Sequence, residues 1–289
     1  MTQKTDAEKK LIQRHFNGKA SVYESSAILQ CEIGRRMQER LDYVALKPSV
    51  ILDVGCGTGR GVQALMKRYR KAKLLAVDVS TGMLQQTRKN SGWWRKPSLI
   101  CGDAESLPVA DNSVDLVYSN LMLQWCDPEK VFAEFLRVLR PQGLLMFSTF
   151  GPDTLKELRH SWAQVDRQTH VNEFIDMHIL GDELMRAGFA EPVMDMDMTR
   201  LTYQDALAVM RDLKAIGANT LKQRDHKGLV TRNKIDRVCT AYNHFRQDGV
   251  LPASFEVVYG HAWKTEIARK QKSAAEIFIP VANITRSDS

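Results

Sequence analysis

Three glycines and three carboxylates stand at spacings that suit a nucleoside ligand. The run Asp53-Val54-Gly55-Cys56-Gly57-Thr58-Gly59 closes a short apolar stretch and leads into a helical one. Glycine lets the backbone turn sharply and lets a ligand approach the main chain closely. Two better-known phosphate loops are excluded by spacing. A dinucleotide fingerprint reads G-x-G-x-x-G; counted from Gly55 its third glycine falls on Arg60, and counted from Gly57 it falls on Val62. A P-loop needs a lysine after its last glycine, and none follows here. The loop therefore favours a nucleoside without a pyrophosphate. Asp78 ends the next apolar run, in the roughly 20-residue range where such folds place a ribose-binding carboxylate. Its two oxygens can accept both ribose hydroxyls. Asp103-Ala104 follows the third apolar run, where a carboxylate can accept from an adenine amino group.

These residues need strand ends to hold them. Val50 to Val54, Leu74 to Val77, Leu99 to Cys101, Val114 to Tyr118 and Leu144 to Phe150 read as short buried strands. Helical spacing fills the gaps at 61–69, 83–89 and 130–139, the last stopped by Pro141-Gln142-Gly143. Alternation of this kind predicts βαβ units and a doubly wound, mostly parallel α/β sheet. Two later strands, 192–199 and 255–259, bring the expected sheet to seven. Residues 1–20 read as a polar arm, and 21–46 as a helix ended by Pro48. The chain reads as a single domain, 1–289. It comprises an N-terminal arm and helix (1–44), a cofactor-binding core (45–150), helical lid insertions (151–180 and 201–250) and a tail (265–289) whose role is open. Within that tail Ile277-Phe278-Ile279 is a candidate edge strand.

Hydrophobic residues make up 44% of the 289-residue chain and charged residues 26%, enough for a sizeable core. No apolar run approaches the roughly 20 residues a bilayer crossing needs. The polar start MTQKTDAEKK lacks the apolar stretch of a secretory signal. A cytoplasmic protein is expected. Its five cysteines are odd in number and form no C-x-x-C pair, which argues against disulfides and zinc. His170 and His178, eight residues apart, have no further ligands at suitable spacing and read as helix-packing or substrate-lid residues; no metal is expected. The net charge of +7 favours an anionic partner. Its basic residues cluster at Arg35, Arg36, Arg40 and again at Lys67, Arg68, Arg70, Lys71, Lys73.

Taken together, Asp53-x-Gly55-x-Gly57-x-Gly59, Asp78 and Asp103-Ala104 resemble the class I S-adenosylmethionine-dependent methyltransferases over residues 45–150. The resemblance implies the Rossmann-like fold of that class and S-adenosyl-L-methionine as methyl donor. The glycine loop would hold the methionine part, Asp78 the ribose and Asp103 the adenine. It further implies a cofactor-binding set of Tyr23, Asp53, Gly55, Cys56, Gly57, Gly59, Asp78, Val79, Met83, Asp103, Ala104, Asn120 and Leu121. After the fourth strand, Ser119-Asn120-Leu121-Met122 lacks the paired prolines of enzymes that methylate amino nitrogens on nucleic acid, and no nucleic-acid-binding motif is present. Neither nucleic acid nor membrane is an expected partner.

A narrower resemblance covers residues 10–264. Phe16-Asn17-x-Lys19-Ala20-x-x-Tyr23, Leu123-Gln124-Trp125, Thr149-Phe150-Gly151-Pro152-Asp153-Thr154-Leu155-x-Glu157-Leu158, His170-Val171-Asn172-x-Phe174-x-Asp176-Met177-His178 and Val257-Val258-Tyr259-Gly260-His261-Ala262-Trp263 resemble the malonyl-[acyl-carrier protein] O-methyltransferase family of biotin biosynthesis. That resemblance implies transfer of a methyl group to the free carboxylate of malonyl carried on an acidic acyl carrier protein. Tyr23, Asn120, Trp125, His170 and Asn172 are then candidates for positioning the substrate. Tyr23 reads as a packed aromatic or as part of an arm closing over the cofactor, and Trp125 as core or pocket wall. Arg35, Arg36 and Arg40 are the first candidates for a carrier-docking patch, against a plain solvated face. Other readings of the core are a methyltransferase for a free small molecule such as a quinone precursor, and an assembly factor or hydroxylase sharing the fold. A nicotinamide oxidoreductase is disfavoured by the glycine spacing. Oligomeric state is not legible.

Overall fold

The computed structural model describes residues 6–19, 28–92, 95–215 and 231–265. Tyr23 and the edge strand expected at 277–279 lie outside the described residues. Seven strands form one sheet: β1 (Val50–Val54), β2 (Lys73–Asp78), β3 (Ser98–Cys101), β4 (Val114–Asn120), β5 (Leu139–Phe150), β6 (Ala190–Tyr203) and β7 (Leu251–Trp263). Their order is β3-β2-β1-β4-β5-β7-β6. The first five run parallel, while β7 pairs antiparallel with both β5 and β6. This is the expected doubly wound, mostly parallel sheet. The chain builds outward from β1 to β3, then returns to lay β4 on the other side of β1. That reversal opens a crevice at the carboxyl ends of β1 and β4, where open α/β sheets bind ligands.

The strands bury both faces because their side chains alternate at period two. Ile51, Leu74, Leu116 and Met146 face one core, shared with α2 (Ile28–Arg40), α3 (Arg60–Arg68) and α4 (Thr81–Asn90). Leu52, Val77, Val117 and Phe147 face the other, shared with α5 (Pro128–Val138) and α7 (Met177–Ala187). Helix α2 buries Leu29, Ile33 and Met37, one turn apart on a single face. It ends at Arg40 in a 3-10 turn over Leu41–Tyr43, earlier than the expected 46. Residues expected as a plain polar arm form α1 (Asp6–Lys19). The insertions carry α6 (Lys156–Ala163), α8 (Ala206–Ala215) and α9 (Arg232–Asn243). Loop 151–154 is fastened to β7: Asp153 N–H donates to Glu256 Oε2 at 2.6 Å, and Thr154 Oγ1 donates to Glu256 O at 3.0 Å. Among the described residues no helix is long and apolar enough to cross a membrane.

Candidate functional site

The glycine loop and Asp78 hold each other. Gly57 N–H donates to Asp78 Oδ2 at 2.9 Å, and Ser80 N–H donates to Asp78 Oδ1 at 2.8 Å. Gly55 and Cys56 extend the arrangement, both donating their N–H to Val77 O, at 2.8 and 3.1 Å. The turn needs glycine in the left-handed region: φ is +74° at Gly55 and +54° at Gly57. A Cβ on Gly55 would strike Met122 at 2.5 Å, whereas one on Gly57 would meet nothing within 4 Å. Gly57 therefore fronts open space.

That space is a cavity over the carboxyl ends of the strands. Asp78, Val79, Met83, Asp103, Ala104, Asn120, Leu121 and Trp125 all line it, as Gly55 and Gly57 do. One backbone N–H on each Asp78 oxygen leaves each with further accepting capacity toward the cavity. Val79, Met83 and Ala104 supply an apolar slot beside that carboxylate, which fits an adenosine. Burial pushes Asp78 up to about 6. Asp53 lines a second cavity, which lies between α2 and α3 and shares Gln30, Gly55, Gly57 and Asn120 with the first. Burial, reinforced by the charge of Asp78, pushes Asp53 up to about 8. At neutral pH Asp78 is then a charged carboxylate of the first cavity, while Asp53 is largely protonated. Burial also drives the Cys56 thiol well above its ordinary value, so Cys56 is no nucleophile.

At the end of β4, Leu121 takes a left-handed conformation, φ +52°, sparsely populated for a non-glycine residue. Its N–H is shared between Ser148 O and Ser148 Oγ, both at 3.1 Å. Ser148 Oγ in turn donates to Asn120 Oδ1 at 2.8 Å, and Asn120 Nδ2 donates to Gln30 O at 3.1 Å. The Asn120 side chain is thus a strut between β5 and α2.

Helix α1 crosses the mouth. Gln13 Nε2 donates to Val79 O at 2.7 Å, and Asn17 Oδ1 accepts from Ser80 Oγ at 2.6 Å and from Gly82 N–H at 3.0 Å. Phe16 lines the cavity and meets Trp125 edge-on, with ring centroids 5.6 Å apart. Sequence reasoning missed Gln13 and gave Phe16 and Asn17 no role, although the Phe16-Asn17 pair was a visible signal.

Some expected residues lie elsewhere. Gly59 lines neither cavity; at φ +89° it brings α3 against Thr87, where a Cβ would lie 2.8 Å from Thr87 Cγ2. Cys56 and Asp53 line only the second cavity. His170 and Asn172, expected to position substrate, line neither. His170 stacks on Trp162 at 3.6 Å between centroids and bonds Asp166 at 2.8 Å, and Lys234 of α9 reaches the same carboxylate at 2.8 Å. Its imidazole braces the insertions instead. Their segment reaches the cavity through Phe174, packed edge-on against the lining residue Phe150 at 5.5 Å. The Arg35, Arg36, Arg40 cluster is internally paired. Arg35 is bridged to Glu32 and Glu39; Arg36 reaches Glu32 and Asp197; Arg40 bonds Asp195 at 2.5 Å and Asp197 at 3.2 Å and lies 3.7 Å over the Tyr259 ring. It ties α2 to β6 and β7 and is no free cationic face.

Residues 52–147 match a family described as a methyltransferase domain. The chain is 48% identical over 264 residues to a malonyl-[acyl-carrier protein] O-methyltransferase of Gallionella capsiferriformans, covering 89% of this chain and 91% of that protein. It is likewise 48% identical over 267 residues to a protein of the same name from a Methylovorus species, covering 90% of each. Among solved structures, the YcgJ protein of Bacillus subtilis superposes with a TM-score of 0.55 at 15% identity, over 81% of this chain and 99% of that one, a likeness of fold.

Proposed function

The chain belongs to the malonyl-[acyl-carrier protein] O-methyltransferase family, and from that premise we propose that it esterifies the free carboxylate of malonyl carried on an acidic acyl carrier protein, in biotin synthesis. It is an S-adenosylmethionine-dependent methyltransferase. The observation that carries the site assignment is the Gly57–Asp78 pair at the edge of the cavity, beside the apolar residues Val79, Met83 and Ala104. When bound, S-adenosyl-L-methionine supplies an electrophilic methyl on a positively charged sulfur. Asp78 would accept from the ribose hydroxyls and Asp103 from the adenine, while Gly55 and Gly57 let the methionine end approach the backbone. The five cysteines are free thiols, as suits the reducing cytoplasm where we place the reaction.

The chemistry asks little of the protein beyond position. A carboxylic acid ionises near pH 4, so the nucleophile is already charged at neutral pH and no general base is needed. What remains is to hold the carboxylate oxygen about 3–3.5 Å from the methyl carbon, in line with the departing sulfur. The struts at Asn120, Ser148 and Leu121 serve that alignment from one side. Phe16, Trp125 and Phe150 line the same cavity with apolar surface that would limit water. A carboxylate and a sulfonium neutralise each other as the bond forms, so a dry site favours the reaction. The experiment is turnover with methyl-labelled S-adenosylmethionine and malonyl-loaded carrier. Label carried on the malonyl group supports the proposal, and its absence there removes it.

A further inference from the structure

We infer that the exposed surface of α1, with Leu11 and Arg14 on its outward face and Lys10 on its flank, is where the acidic carrier protein docks. The inference rests on the carrier-bound substrate proposed above and adds where the carrier sits.

A tethered acyl group reaches a buried site only if its carrier stands at the mouth. Helix α1 crosses that mouth. Gln13 and Phe16 turn inward, onto Val79 and Trp125. At 100° per residue, Leu11 and Arg14 then lie on the opposite face, with Lys10 on its flank. All three are exposed, Leu11 by 54%. Lys10 and Arg14 are one turn apart. Two cations beside one exposed leucine complement an acidic amphipathic helix, with charge steering the encounter and the leucine giving it an apolar centre.

The other basic clusters fit less well. Arg35, Arg36 and Arg40 already hold carboxylates of this chain. Lys71 and Lys73 lie between α3 and the start of β2, at the amino ends of the parallel strands, so they face away from the crevice.

The test compares rates on malonyl-loaded carrier protein and on malonyl N-acetylcysteamine, a small uncharged carrier, for wild type, K10E/R14E, K10Q/R14Q and K71E/K73E. For K10E/R14E, kcat/KM on the protein-bound substrate should fall at least about tenfold at low salt, and its salt dependence should flatten. K10Q/R14Q should fall less, in the same direction. Both should keep the wild-type rate on the small thioester and the wild-type affinity for S-adenosylmethionine. K71E/K73E should match wild type throughout. An unchanged rate of K10E/R14E on the loaded carrier would overturn the docking surface, as would an equal loss on both substrates or an equal loss in K71E/K73E. Wild-type failure on both thioesters would instead remove the proposed reaction, and the docking surface with it.

Discussion

The N–H of Gly57 donates to Asp78 Oδ2 at 2.9 Å, so the loop after β1 and the acid at the end of β2 form one unit. The bond orients the carboxylate while leaving accepting capacity on the cavity side. Because burial raises Asp78 to about 6, its accepting power is lost as the pH falls through that value. Affinity for S-adenosylmethionine should hold near pH 8 and weaken below about pH 6, with the fall much reduced in Asp78→Asn. Asp78→Ala should cost about 1.5–3 kcal/mol of binding at neutral pH. Calorimetric titration across this range checks both statements.

Asp53 gives the free protein a pH-dependent stability. Its folded value, about 8, stands above the ordinary 3.8, so the folded state binds the proton more tightly than the unfolded state. The stabilisation is complete below about 3.8 and is lost as the pH rises through about 8. Denaturant unfolding should therefore give a lower midpoint at about pH 9 than at about pH 7. In Asp53→Asn, which keeps the shape without the charge, this difference should shrink. A variant that retained the full difference would place the titrating group elsewhere.

The parts of the site that come from one strand and its following loop were legible in the sequence. Asp53, the glycines, Asp78 and Asp103 each close a strand, and strand periodicity locates them to within a residue or two. What was not legible arises between segments distant in the chain. Nothing near Arg40 announces Asp195, 155 positions away. His170 looked available because the carboxylate it bonds, Asp166, is also held by Lys234, 68 positions further on. Gly59 stood in a run of functional glycines, yet its small size serves the contact with Thr87. Helix α1 was read as an arm because its face toward the cavity combines Gln13, Phe16 and Asn17, which gives no apolar stripe.

Gly59→Ala should consequently harm the fold more than the ligand. It meets Thr87 and forces a left-handed backbone on a residue with a Cβ. A loss of about 1–3 kcal/mol in unfolding free energy is expected. The folded fraction should bind S-adenosylmethionine normally. Strongly weakened binding at unchanged stability would return Gly59 to the ligand site.

Asn17 closes α1 over the cavity through two hydrogen bonds. At about 1 kcal/mol each, their loss in Asn17→Ala should speed release of S-adenosylhomocysteine roughly tenfold or more. Stopped-flow displacement reads this directly. An unchanged release rate would show that α1 does not limit exchange.

The arginines of α2 should matter for stability and not for turnover. Arg40→Ala loses the bonds to Asp195 and Asp197 and the stack on Tyr259. A destabilisation of about 1–2 kcal/mol is expected. kcat/KM on the loaded carrier, measured where the variant is fully folded, should stay at the wild-type value.

The most direct measurement is the base lability of the product on two carriers. The enzyme is given methyl-labelled S-adenosylmethionine with malonyl-loaded or acetyl-loaded carrier protein, and each product is treated with mild base. If the free carboxylate is the nucleophile, label enters only the malonyl-loaded carrier and leaves it as methanol. Label on the acetyl-loaded carrier, or label that survives the base, would contradict carboxylate methylation and point to carbon or nitrogen as the acceptor.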